Sequence, residues 1–371
     1  MVARKILWDI SGAFGDIGVL IPIAIALVGN NGFNPTVLFA MAGVFYLVSA
    51  AYYRITMPVQ PLKAMAAIAI ASGLGVDVIS VAGIMMGLIL LGLSLSGLSE
   101  RMGMFFPIGV IRGIQLGLGA ILIKTSFQMI HGQAGYVVVA AVLLGAAFSL
   151  KKWIPPLLPI LLVGLTLAYV DSPAVIMGPA PITLTFPAFH KTWEALGLLV
   201  LPQLALSFGN AIVATENTAR LLYGRRASRV TLKSIPFGMG MANIAIGLLG
   251  GMPMCHGSGG LTAHAKLGAT SARSGYIIGG ALVILALAFG RSALGMISAF
   301  PTGFLAVLLF YVGASHAGFA WDIRQDRKEI LVACGTAIVG LATSNLTYGF
   351  LFGIVLHKAL TLRAARAPVG L

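Results

Sequence analysis

The residues best suited to chemistry gather in Met252-Pro253-Met254-Cys255-His256-Gly257-Ser258-Gly259-Gly260. Proline followed by polar and glycine residues predicts unwound backbone at the start of a helix. A helix start presents unpaired backbone N–H groups and about half a positive charge, which together attract anions. Gly257, Gly259 and Gly260 let a ligand come close to that backbone. Ser258 adds a hydroxyl donor and His256 a ring N–H. A second stretch of the same kind is Met57-Pro58-Val59-Gln60-Pro61-Leu62-Lys63. It offers the amide of Gln60 and, at Lys63, a full positive charge. The motifs of soluble enzymes are missing: there is no HExxH, no GxSxG, and no Gly-Lys pair of a phosphate loop. Neither enzymatic activity, a cofactor nor a metal site is expected. Cys255 and Cys334 lie far apart in apolar surroundings and suggest neither a disulfide framework nor a metal site.

The elements that position these residues must lie in a membrane. The chain has 371 residues, of which 58% are hydrophobic and only 9% charged, against about 25% charged in soluble domains. The net charge of +14 is spread over loops between apolar runs, with no basic domain to hold nucleic acid. The expected fold is an all-α polytopic membrane protein. With about 20 residues per crossing, fourteen hydrophobic segments are read. The first seven lie at 13–29, 36–53, 58–73, 78–97, 105–125, 133–150 and 155–170. A polar stretch, 171–192, separates them from the second seven, at 193–219, 233–250, 253–269, 274–290, 293–313, 328–344 and 345–361. The first segment lacks a cleavage site and reads as a retained helix.

Charge supports this count. With the N-terminus inside, only Lys124, Lys191 and Arg291 of the 24 basic residues fall outside, while Lys63 and Arg112 sit within segments. That asymmetry predicts cytoplasmic termini. The Met57-Pro58 pair recurs as Met252-Pro253, 195 residues on, and the same offset aligns Gly15-Asp16 with Asn210-Ala211. Seven is odd, so the halves, 1–185 and 186–371, have opposite orientations. The third and tenth segments are short and open on proline. Interrupted helices at corresponding positions of inverted halves point to a transporter site, with their N-termini meeting near the midplane.

Stripping water from an anion costs far more than the 0.3–2 kcal/mol, roughly, that one helix terminus returns. Two termini, several donors and Lys63 are a plausible minimum for a dianion. The bland alternative is that the prolines and glycines only kink two packed helices, with Lys63 paired to Asp16 or snorkelling. Asp16, in an apolar helix, either carries a coupling proton or cation or caps a broken helix. Gln203, Asn210 and Asn217 stand seven apart and share a face that could line the cavity. Glu216, near the inner end, is either a coupling group or simply wet. Arg112, with Gln115 nearby, either neutralises Asp16 or Glu216 or touches substrate. His264 reads as a satisfied buried histidine. His131, His190, His316 and His357 fall near segment ends and carry little signal. Gly113/Gly117 and Gly349/Gly353 read as close helix packing.

Five motifs in order resemble the molybdate transporter family, a relative of the sulfate permeases. They are Gly15-Asp16-Ile17-Gly18-Val19-Leu20-Ile21-Pro22, Met57-Pro58-Val59-Gln60-Pro61-Leu62-Lys63-Ala64, Arg112-Gly113-Ile114-Gln115-Leu116-Gly117, Pro202-Gln203-Leu204-Ala205-Leu206 with Asn210-Ala211, and Pro253 to Gly260. The resemblance runs from about residue 8 to 355. It implies the architecture of the sulfate and uracil permeases: two inverted sevens, with helices 1–4 and 8–11 as core and 5–7 and 12–14 as gate. It also implies a tetrahedral oxyanion held between helices 3 and 10.

The expectation is therefore a secondary active transporter in the plasma membrane. It imports an oxyanion, molybdate before sulfate or tungstate, by alternating access. Because the cytosol is electrically negative, a coupled cation is required; a proton carried by Asp16 or Glu216 is expected. Its partners are that anion, the proton, the lipid bilayer and at most a second copy in a homodimer. The alternatives are a nucleobase permease on the same fold and an anion channel.

Overall fold

The computed structural model describes residues 2–104, 106–150, 157–170, 176–182, 187–269, 271–343 and 346–366. The described chain is helical almost throughout. In the first half the elements are α1 (Val2–Ala13), α2 (Ile17–Asn31), α3 (Pro35–Tyr53), β1 (Gln60–Pro61), α4 (Lys63–Ser72), α5 (Val76–Leu95), α6 (Leu98–Met104), α7 (Ile108–Gln128), α8 (Ala134–Ser149) and α9 (Leu158–Val170). The second half opens with one irregular rod, Phe189–Ala227. Its α-helical parts are α10 (Thr192–Ala195), α11 (Leu201–Leu206) and α12 (Thr215–Tyr223), joined by wider π-helical turns at Leu196–Val200 and Ser207–Ala214. Then come α13 (Ser234–Leu248), β2 (Met254–Cys255), α14 (Ser258–Lys266), α15 (Arg273–Phe289), α16 (Ala293–Ser298), α17 (Thr302–Ala317), α18 (Arg327–Ala342) and α19 (Leu346–Arg366).

Among the described residues, five helices are by themselves long and apolar enough to cross a membrane: Pro35–Tyr53, Val76–Leu95, Ile108–Gln128, Phe189–Ala227 and Thr302–Ile323. Five shorter apolar helices stand with them. Segments broken by proline or glycine fail a length test for a physical reason. At 1.5 Å per residue, the ten residues of α4 and nine of α14 each reach only about half of a hydrocarbon core ~30 Å thick. The first segment also differs from the 13–29 expected. Helix begins at Val2 and breaks at 14–16 before resuming. Its polar residues Asp9 and Ser11 are buried rather than wet, which hides α1 from hydropathy. The Ser344-Asn345 link between the last two segments lies outside the described residues, as do Lys151 and Lys152.

Glycine sets the closest helix contacts. A Cβ on Gly43 of α3 would lie 2.7 Å from the Gly279 carbonyl of α15, and one on Gly279 would lie 2.9 Å from the Gly43 carbonyl. Gly87 of α5 and Gly240 of α13 face each other in the same way, at 2.8 and 2.9 Å. So do Gly119 of α7 and Gly313 of α17, at 2.6 and 2.7 Å. No side chain fits at such approaches, and small residues are what let membrane helices touch backbone to backbone. Moving Gly43 on by roughly one repeat offset leads to Gly240, Gly87 to Gly279, and Gly119 to Gly313. The first two contacts thus exchange with each other and the third maps onto itself. Gly113 and Gly117 pack α7 on α18, and Gly349 and Gly353 pack α19 on the same helix. One bundle therefore forms around α3–α15 and α5–α13, another around α7, α17, α18 and α19.

Candidate functional site

The site is built where prolines in two stretches, Pro58 and Pro61 in one and Pro253 in the other, prevent helix. Proline has no N–H and pushes its predecessor into extended backbone, so 57–62 and 252–257 run extended through the molecule. β1 and β2 pair antiparallel, Gln60 opposite Cys255 and Pro61 opposite Met254. The Leu62 N–H donates to the Pro253 carbonyl at 2.9 Å. Asn243 of α13 ties the second strand down, donating to the Met254 carbonyl at 2.8 Å and accepting its N–H at 2.7 Å. Beyond the strands, α4 starts at Lys63 and α14 at Ser258. Neither helix has a side-chain cap from its N-cap residue, Leu62 and Gly257 respectively. The two N-terminal poles therefore face one another across two residues of sheet.

Five of the expected site residues converge there. A Cβ on Gly257 would lie 2.7 Å from Gln60 Oε1 and 3.6 Å from Lys63 Nζ, so the lysine reaches from one helix start to the other. Gln60 is fully buried; its Nε2 donates to Asp16 Oδ2, and its Oε1 has no hydrogen-bond partner. Asp16 sits in the break between α1 and α2, at the N-cap of α2 without bonding its N–H groups. A Cβ on Gly260 would come within 2.6 Å of both Asp16 Oδ2 and Gln60 Nε2. The absent side chain of Gly260 is what admits that pair to the first turn of α14. From this cluster a cavity of about 470 Å³ runs between the bundles, lined by Val19 and Ile23, by α4 from Lys63 to Ile68, and by Leu118 and Leu122 of α7. Lys63 and Thr125 are its polar members. Gly259 faces Leu118, whose Cδ2 is 3.0 Å from the position of its missing Cβ.

The remaining expected residues divide among other tasks. Gln203 Oε1 accepts the Met65 N–H at 3.0 Å and its Nε2 donates to Ser207 Oγ at 2.9 Å. It thus takes one of the open donors of α4. Asn210 Oδ1 accepts from Ser258 Oγ at 2.6 Å. His316 of α17, fully buried, stands 3.2 Å by Nε2 from Ser258 Oγ and 2.7 Å by Nδ1 from Thr262 Oγ1. Thr262 gives its own proton to the Ser258 carbonyl at 2.9 Å, so the Nδ1–H of His316 donates to Thr262, while Nε2 lies beside a Ser258 hydroxyl whose proton goes to Asn210. The ring of His256 lies elsewhere. It packs against Phe45 and Tyr53, with centroids 4.9 and 5.5 Å away, and its Nδ1 donates to the Pro58 carbonyl at 2.8 Å. Its contribution to the cluster is backbone. His264 is satisfied by the Gly12 carbonyl at 2.7 Å and Tyr46 at 3.3 Å.

Arg112 pairs with neither Asp16 nor Glu216. It grips Asp322 through Nε and Nη2 and donates from Nη1 to Gln115 at 3.0 Å and Asn217 at 2.6 Å. Gln115 in turn donates to Thr218 at 2.9 Å. This network fastens α7 to α12. Glu216 makes an i,i+4 ion pair with Arg220 at 2.7 Å, well away from the strands' cluster. His316 and Asp322 were the residues that sequence reading passed over. The twelfth segment is expected to end at 313, but helix continues to Ala317 and, as a 3₁₀ turn, to Ile323, which carries His316 into the interior and sets the half-exposed Asp322 beside buried Arg112. The same-face spacing of Gln203, Asn210 and Asn217 translates into three separate partners: the start of α4, the start of α14, and Arg112. Among the described residues no three His, Cys, Asp or Glu side chains gather as a metal site would need.

The profile of the family described as "Molybdate transporter of MFS superfamily" matches residues 9–122 and 195–315. Molybdate transporter 1 of Arabidopsis thaliana is 29% identical over 417 aligned positions, covering 98% of this chain and 90% of that protein. Among solved structures, the transmembrane domain of the cyanobacterium bicarbonate transporter BicA superposes with a TM-score of 0.58 at 18% identity, covering 96% of this chain and 98% of that one. Murine Solute Carrier 26 family member A9, an anion transporter in the inward-facing state, does so with a TM-score of 0.63 at 13% identity, covering 98% and 69%. These likenesses place the chain in a shared membrane fold.

Proposed function

The chain belongs to the molybdate transporter family, and from that premise we propose that it is a secondary active importer of a tetrahedral oxyanion, molybdate first. The observation that carries the reading is the meeting of two helix starts without N-cap side-chain caps on Lys63 across the β1–β2 pair. The anion sits between Lys63 and the N–H groups of Ser258, Gly259 and Gly260, with Gln60 at its side. One terminus alone returns too little to replace an anion's hydration; two poles and an ammonium act together. A nucleobase would need carboxylates free to pair with ring N–H groups, whereas the carboxylate of Asp16 is already engaged by Gln60. The named relative is a molybdate transporter, in keeping with this assignment.

Coupling follows from the same geometry. Asp16 lies against the first turn of α14, so a dianion arriving there meets a carboxylate in a dry interior. Protonating Asp16 removes that repulsion, so proton and anion bind together. Glu216, held by Arg220, is not so placed. The two halves, 1–185 and 186–371, form a core around α3–α15 and α5–α13 and a gate around α7, α17, α18 and α19. Alternating access is the sliding of one against the other in the plasma membrane, with both termini cytoplasmic. The test is a competition titration of purified protein with molybdate, tungstate, sulfate and uracil. Molybdate binding displaced by tungstate and sulfate supports the reading; displacement by uracil alone overturns it.

A further inference from the structure

A second hollow, of about 430 Å³, lies apart from the Lys63 cavity and shares no lining residue with it. Four cations from four elements converge on it: Lys5 of α1, Arg54 at the end of α3, Arg226 in the 3₁₀ turn Gly224–Ala227, and Arg273 at the start of α15. Ser271 and Tyr276 complete the wall with Asp9, which is fully buried. Asp9 is occupied in ordering that wall. Its carboxylate accepts the Ser271 N–H at 3.0 Å, the Ser271 hydroxyl at 2.7 Å and the Ser274 hydroxyl at 3.3 Å. Thr56 joins the opposite sides, donating to the Ser271 carbonyl at 2.7 Å. Arg226 is held over the Tyr223 ring, 5.5 Å from its centroid. Lys5, Arg54 and Arg273 make no ion pair among the described residues.

Arg54 adds a second observation. It is the non-glycine residue with positive φ among the described residues, at φ 58°, in a helix-ending position that glycine fills at lower cost. A side chain stands there at the expense of backbone energy, and it lines the hollow. A general excess of cytoplasmic lysine and arginine scatters cations along loops; it does not require them to meet in one concavity. Lys5, Arg54 and Arg273, which make no ion pair among the described residues, repel one another across the hollow, and a multivalent anion relieves that repulsion. The face is the one the charge distribution assigns to the cytoplasm, where basic pockets between membrane helices hold phosphate headgroups. Tyr276, 46% exposed, stands at the rim as an aromatic residue at a membrane–water interface does.

We propose that this hollow is a binding site for a phosphate-bearing anion, either the headgroup of an inner-leaflet phospholipid or a free phosphate compound. The site is separate from the transport path, so the proposal stands or falls independently of the transport reading. The test uses the full chain purified in a neutral detergent and titrated with dioctanoyl phosphatidic acid, dioctanoyl phosphatidylcholine and inorganic phosphate. Phosphatidic acid is expected to bind and phosphatidylcholine not. The exposed double variant R54Q/R273Q should weaken phosphatidic acid binding about tenfold or more, and K5Q, on a different element, should weaken it less. A charge-matched control, R324Q/R327Q, should bind as the unaltered protein does. Binding of phosphatidic acid without inorganic phosphate assigns the headgroup; binding of both, each lost in R54Q/R273Q, assigns the free compound. Equal binding to R54Q/R273Q and to the unaltered protein, or no preference for phosphatidic acid over phosphatidylcholine, overturns the proposal.

Discussion

The starts of α4 and α14 occupy equivalent places in the two halves, yet they are furnished differently. The α4 end carries the charge, Lys63, and has one backbone donor taken by Gln203 from the neighbouring rod Phe189–Ala227. The α14 end carries glycine backbone and is tied through Ser258 and Thr262 to His316 on α17, which belongs to the other bundle. Backbone alone supplies the two opposed dipoles. Side chains are then free to specialise. On the reading proposed above both ends hold the anion, one by an ammonium and the other by backbone N–H groups, and the α14 end alone is also tied to α17.

That contrast can be broken most sharply at Lys63. Losing the charged partner of a buried anion costs about 2–5 kcal/mol, so Lys63→Met should raise the molybdate dissociation constant about thirtyfold or more. The thermal unfolding midpoint should barely move. Undiminished affinity would shift the weight to backbone N–H groups alone. Gly260→Ala attacks the other end. Its methyl would press on Asp16 and Gln60 at 2.6 Å, and overpacking of roughly 1–3 kcal/mol predicts about a tenfold loss of uptake. Gly280→Ala, with open space around it, should leave uptake intact; equal losses in both would point to general disruption of the helices.

Asp16→Asn tests what lies between the two ends. In proteoliposomes an acidic exterior should speed uptake by the unaltered protein, and the variant should lose that response while still exchanging molybdate for molybdate. A pH-gradient response that survives in Asp16→Asn assigns coupling to another group. The smallest effects separate the two tethers, each worth about 0.5–1.5 kcal/mol per hydrogen bond. His316→Gln should alter uptake rate a few-fold with little change in affinity. Gln203→Ala should lower thermal stability and leave the rate ratio of influx to exchange unchanged. If Gln203→Ala instead mimics His316→Gln, the two ends are not specialised in this way.

The convergence at the site was legible in the sequence because proline acts locally. Pro58, Pro61 and Pro253 forbid helix wherever the rest of the chain lies, and the glycines after Cys255 announce close approach. Tertiary partners were not legible. Whether His256 turns toward the cluster or toward Phe45 depends on a strand register that spacing does not encode. The sequence offers Arg112 two carboxylates within segments, Asp16 and Glu216, whereas its actual partner, Asp322, lies 210 positions away beyond an underestimated helix end. Glu216 looked available because its partner, Arg220, was counted as a loop charge. The amphipathic α1 escaped because its polar residues are buried by neighbours that hydropathy cannot see.

The wide turn at Ser207–Ala214 has a consequence for how this sequence can drift. Each α-helical residue advances the side-chain direction by about 100°, and a π-helical turn absorbs an additional residue within an otherwise regular rod. It acts as a phase shifter between Gln203 and Asn217. Deleting one residue there would let the rod close into plain α-helix with its hydrogen-bond ladder whole, and positions downstream would keep their directions. Asn217 would stay on Arg112 and Thr218 on Gln115; the same deletion in the regular α-helix of α12, before Asn217, would swing both by about 100°. A one-residue deletion in this turn should therefore be absorbed, whereas a one-residue deletion at the start of α12 should uncouple α7 from α12 without unfolding either.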